Sequence, residues 1–141
     1  MTRILKVFLG VALIFQGQLA FGQKTMPNKS NLKAEVYYFH PTERCPIDQS
    51  IEETLRKMMQ SDFAKEIKDG TIKFQVINTD DKANVKTVGK FEMNAQALYL
   101  VTHVNGKEIK KDLTEFAFSN SQGNPGKFKA GLKQEIIEAI K

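Results

Sequence analysis

Cysteine occurs once in this 141-residue chain, at Cys45, and histidine twice, at His40 and His103. A lone thiol can act as a nucleophile or sit inert, and its neighbours decide which. The local string is His40-Pro41-Thr42-Glu43-Arg44-Cys45-Pro46-Ile47-Asp48. Pro46 suits the first position of a helix, where a missing N–H is no loss. Cys45 then stands at the helix N-terminus, facing unpaired N–H groups and the positive end of the dipole. That setting favours the thiolate, which is the reactive form, and Arg44 and His40 can add positive charge. Asp48 works the other way. Its carboxylate can turn back onto the Cys45 N–H, as in a capping box, supporting the helix start. The same carboxylate sets negative charge beside the sulfur, and Glu43 pushes in the same direction.

Two readings of Cys45 stay open. In the first, one thiol carries the chemistry as far as a mixed disulfide, which an outside thiol then resolves. In the second, the site is degenerate and its face only holds a partner. His40 is either a proton shuttle for the thiol or a strand-end residue facing solvent. His103 reads as a surface residue. Asp80-Asp81 reads as turn-forming. One cysteine and two histidines exclude a self-contained cysteine-rich zinc site. No metal and no cofactor are expected.

The elements that must position the thiol follow from periodicity. Residues 33–40 carry Val36-Tyr37-Tyr38-Phe39, a continuous β-favouring run suited to a strand buried on both faces, and Pro41 ends it. Over residues 46–68, Ile47, Ile51, Leu55, Met58, Met59, Phe63 and Ile67 draw one helical stripe, with Ser61-Asp62 as a candidate break. Residues 71–78 alternate as a second strand. A weak helix is expected over 83–91, with Val85, Val88 and Phe91 facing inward. Residues 95–104 form a third strand, and Asn105-Gly106 signals a tight hairpin into a fourth strand over 107–111. Residues 113–118 read as a continuation of that strand past a bulge or as a separate edge segment. Asn124 and Pro125 open a last helix, whose Phe128, Leu132, Ile136 and Ile140 form its inner stripe. The order is β-α-β-α-β-β-α, an α/β fold with a mixed sheet and helices on both faces.

The first residues belong to something else. Arg3 and Lys6 precede the apolar run 7–15, and Ala20-Phe21-Gly22 offers small residues to a peptidase. This is the pattern of a secretory signal peptide over 1–22. The run is too short for the ~20 residues that span a bilayer. A flexible lead over 23–31 and a single domain over 32–141 are expected. Removal of 22 residues, Arg3 and Lys6 among them, leaves 119 and lowers the formal charge from +5 to +3. The remaining lysines are interleaved with acids, so nucleic acid is not an expected partner. Nor is a membrane, once the leader is cleaved. Asn28-Lys29-Ser30 fits a glycosylation acceptor.

The element order and the strand-turn-Cys-Pro-helix junction resemble the thioredoxin fold, a three-layer sandwich, over essentially all of the mature chain. The string Val36-Tyr37-Tyr38-Phe39-His40 with Arg44-Cys45 is similar to a group of secreted bacterial thioredoxin-like proteins often labelled ArsF-like or as nitroreductase subunits. The resemblance implies a periplasmic or secreted thiol–disulfide exchange protein acting on a thiol- or disulfide-bearing protein or a small thiol. It implies a catalytic Cys45 supported by Arg44, Pro46, Asp48 and His40. It also implies a partner-binding face at Gln96 and Ala97. This chain departs from the group twice. Asp48 stands where the second cysteine would be, and Asn94-Ala95-Gln96-Ala97-Leu98 occupies the place of the proline that grips a partner's backbone. Enzymatic turnover is therefore left open between a monothiol oxidoreductase and a non-catalytic binding module.

Overall fold

A computed structural model describes residues 31–93 and 95–141. The expected leader, the Asn28-Lys29-Ser30 triplet and all of the expected lead except Asn31 lie outside the described residues. Among the described residues, no helix is long and apolar enough to cross a membrane.

The run Val36-Tyr37-Tyr38-Phe39 lies in β1 (Ala34–His40), which is buried from Ala34 to Phe39. A strand buried on both faces needs a partner on each edge and cover on each side. β2 (Ile72–Asn78) pairs with β1 in parallel, setting Tyr38 opposite Val76. β3 (Ala97–Val104) pairs antiparallel on the other edge, setting Tyr38 opposite Leu98. β4 (Lys107–Asp112) completes a four-stranded mixed sheet of order β2-β1-β3-β4. Asn105 and Gly106 both take positive φ, at 51° and 76°, as the expected tight hairpin requires. Every residue of β4 is exposed, and its lysines blunt that edge.

Alternation along β1 divides the core in two. Ala34, Val36 and Tyr38 face the larger cluster. There α1 (Pro46–Ser61) contributes Ile51, Leu55, Met58 and Met59, and α5 (Pro125–Ala139) contributes Phe128, Leu132 and Ile136. Tyr37 and Phe39 face the other way, into a smaller cluster with Phe91, Ala97 and Val101. Among the described residues, α3 (Val85–Lys90), preceded by a 3₁₀ turn over Lys82–Asn84, covers that side together with Phe91 and Met93 after it. Asn124 caps α5, its side chain accepting from the Lys127 N–H at 3.0 Å, with Pro125 at the first helical position.

The stripe over 46–68 is two helices, α1 and α2 (Ala64–Lys68), broken at Asp62 and Phe63 where Ser61-Asp62 offered a break, while two other expectations need correction. Asp62 is drawn aside toward Lys129 and Lys133 of α5. The short α2 leaves Ile67 exposed. In α3 the inner face is Val88 and Phe91 without Val85, which is 63% exposed. At about 100° per residue, Val85 stands about 90° from the midpoint of the other two. Residues 113–118 are not strand. Thr114–Asn120 forms a helix, α4, burying Leu113 and Ala117 at a spacing of four. The Phe116/Phe118 alternation imitated a strand. Phe116 packs so closely on α5 that a Cβ at Gly131 would lie 2.5 Å from its ring.

Candidate functional site

Cys45 is the N-cap of α1, with extended backbone at φ −87° and ψ 164°, and its side chain is exposed. Pro46 follows at the first helical position and Asp48 at the third. The expected turn-back of Asp48 is present. Its Oδ2 accepts from the Cys45 N–H at 3.2 Å and from the Cys45 thiol at 3.2 Å. Its Oδ1 accepts from the Tyr38 hydroxyl at 3.1 Å, and the same hydroxyl lies 3.1 Å from the Asp48 carbonyl oxygen. The Asp48 side chain is fully buried. A buried carboxylate is tolerated where donors saturate it. Here three donors and the N-terminal end of α1 supply that. The Tyr38 hydroxyl in turn stays protonated far above the usual tyrosine range, first through burial and then through the Asp48 charge and hydrogen bond.

Arg44 does not lend its charge to the sulfur. Its Nη1 pairs with Glu52 and its Nη2 donates to the Asp48 carbonyl at 3.2 Å, so it staples the loop to α1. Burial alone would raise the Glu52 carboxyl, but hydrogen bonds from Arg56 and Arg44 outweigh it and hold that group below the usual range. The Nδ1 of His40 lies 2.9 Å from the Pro41 carbonyl oxygen. The loop before Cys45 is pinned to the end of β2, where the Thr42 N–H donates to Asp80 at 2.7 Å. That backbone bond first, then the Thr42 side chain, holds the Asp80 carboxyl low. Asp81 accepts from the Ala83 N–H at 2.9 Å. The acidic pair thus shapes turns.

Ala97 is the first residue of β3, pairs with Phe39, and is buried among aromatic rings. Gln96 before it is half-buried. The register puts both at the end of the sheet from which the Cys45 loop leaves. Only their backbone and the Gln96 side chain can meet a partner, because the Ala97 methyl is turned inward.

Sequence reasoning missed two features. The sequence pattern marks Tyr38 as core alone, yet its hydroxyl fixes Asp48. It marks His103 as a surface residue, but His103 is half-buried, with Nε2 3.0 Å from Glu35 Oε2. The available signal was Glu35 itself, a charge inside an otherwise apolar strand.

No family model matches this chain, and no curated protein does. A solved structure described as that of a malarial protein aligns over 62% of this chain and 93% of that one, at 17% identity and a TM-score of 0.40. That likeness is too loose to carry either fold or function.

Proposed function

We propose that the chain is an exported thioredoxin-like protein, periplasmic or secreted, in which Cys45 performs monothiol exchange with a disulfide-bearing protein or small molecule. The observation that carries this reading is an exposed thiol at the mouth of α1, donating to a buried carboxylate whose remaining donors are already fixed. The β-α-β start, the hairpin and the β2-β1-β3-β4 order support the fold assignment. The helix α4, between the last strand and the last helix, is an addition to the expected order. Export rests on the pattern of residues 1–22 alone.

The chemistry is a single displacement. Cys45 Sγ attacks one sulfur of the incoming disulfide while its proton passes to Asp48 Oδ2. The new S–S bond joins Cys45 to one half of the substrate. The other half leaves as a thiolate and recovers the proton. The protein sulfur is oxidised and the departing sulfur reduced, so electrons balance. A second thiol from outside completes the cycle.

The test is reaction with a small aromatic disulfide at neutral pH, followed by absorbance and by mass. One mixed disulfide per chain should form, faster than with free cysteine, and Cys45→Ser should abolish it. Asp48→Asn should slow it by about tenfold or more if the carboxylate serves as base. The second reading, a binding module, is favoured by the way Asp48 closes the helix start. A Cys45 no faster than free cysteine, or one accelerated by Asp48→Asn, would select that reading.

A further inference from the structure

We propose that Glu35, His103 and Glu108 form a binding site for one divalent transition-metal cation of the zinc class, on the sheet face opposite α1. The three residues come from β1, β3 and β4, consecutive in the sheet. His103 sits directly across from Glu108, and Glu35 pairs with Val101, two residues from His103 on the same face. One ligand atom from each residue lies within 4.8 Å of the other two, and His103 Nε2 is already 3.0 Å from Glu35 Oε2. Zinc bonds of 2.0–2.2 Å place tetrahedral ligands about 3.4 Å apart. The adjustment falls mainly on Glu108, which is exposed on the edge strand.

The burial of Glu35 argues for a cation. It is 6% exposed, on a central strand, and its permanently charged partner, Lys73, pairs only at long range and with Oε1. Lys73 Nζ stands 3.7 Å away and is half exposed, and His103 is charged only when protonated. Taking a carboxylate out of water on those terms is unfavourable; a dication at Oε2 reverses the balance. Glu35 is also held ready for one. The Tyr37 hydroxyl donates to Oε1 at 2.9 Å and leaves Oε2 aimed at His103, as the outer partners of metal ligands do. The cover over this face comes from Val88 and Phe91, packed with Tyr37 and Phe39. The three ligands line a cleft with Lys73 and Lys90.

The donor set names the metal. One imidazole with two carboxylates suits zinc and its neighbours, whereas magnesium and calcium prefer oxygen alone. One ammonium group competes directly for a ligand atom. Lys90 pairs with Glu108 at 2.8 Å, whereas Lys73 stands 3.7 Å from Glu35 Oε1, not from the oxygen that faces His103. Lys90 must yield, which sets a modest affinity and gives the site a distinctive test.

That test is calorimetric titration of Zn²⁺ into the purified chain carrying Cys45→Ser, so that the thiol supplies no ligand. One saturable site is expected, and none for Mg²⁺. His103→Gln and Glu108→Gln should each weaken zinc binding about tenfold or more. Glu108 lies on an exposed strand, so its substitution leaves the fold intact even where Glu35→Gln does not. Lys90→Gln should tighten binding, since it removes a competitor for Glu108. Absence of saturable zinc binding, or binding unchanged by both ligand substitutions, would reduce the cluster to an ion-pair network and overturn the proposal.

Discussion

Two carboxylates lie out of water on opposite faces of β1, and each accepts a hydrogen bond from a tyrosine of that strand. Asp48 takes the Tyr38 hydroxyl and Glu35 takes the Tyr37 hydroxyl. The resemblance ends there. Asp48 is closed: its other oxygen accepts from the Cys45 N–H and thiol, and the helix N-terminus stands behind it. Glu35 is open: its other oxygen faces a half-buried imidazole, and its nearest ammonium is half exposed and 3.7 Å away. A carboxylate saturated by fixed dipoles is held in place by the architecture and has no room for a further ligand. One balanced by groups that can move away is placed for something else to bind.

Substitutions can break or sharpen that contrast. The largest effect is expected for Asp48→Leu. It strips the acceptor from a buried hydroxyl and from the cap of α1, and should destabilise the chain by about 2–3 kcal/mol in urea unfolding. A loss under about 1 kcal/mol would mean that the closed site contributes little.

Next comes Tyr38→Phe, which removes one donor and should destabilise by about 1 kcal/mol. Its pH dependence has a definite sign. In the unfolded chain Tyr37 and Tyr38 ionise near the ordinary value of about 10. In the folded protein burial and then the adjacent carboxylates keep both protonated well above it. The native state therefore holds more protons, and the stability this contributes is intact below about pH 10 and is lost as pH rises beyond it. Unfolding midpoints should be flat from neutral pH to about 9 and fall beyond 10, and Tyr38→Phe should soften that fall.

The smallest effect is expected for Glu35→Leu. Glu35→Leu strips the acceptor from the Tyr37 hydroxyl, but it also removes a buried charge whose ion pairs are long or conditional, so the two effects offset and stability should stay within about 1 kcal/mol of the parent. A destabilisation as large as that of Asp48→Leu would erase the distinction between the two sites.

Much of the fold was legible because hydrophobic period and turn chemistry are local. The run 36–39, the Asn105-Gly106 hairpin, the capped α5 and the turn-back of Asp48 onto Cys45 all rest on residues within a few positions of one another. What was misread depended on distant neighbours. Phe116 and Phe118 alternate as a strand would, but the segment is helical, with Leu113 and Ala117 buried and Phe116 seated close against Gly131 of α5. Arg44 looked available to the thiol until Glu52, two turns into α1, claimed its guanidinium.

The sequence by itself determined where the thiol sits, what caps the helix it opens, and that it has no companion cysteine, because each is a matter of residue order within one turn. Tertiary structure alone decided that Asp48 is sealed beneath the thiol by Tyr38, and that Glu35, His103 and Glu108 meet at all. Glu35 and Glu108 are separated by more than half of the described chain. Only the pairing of β1, β3 and β4 in one register turns them to a common face.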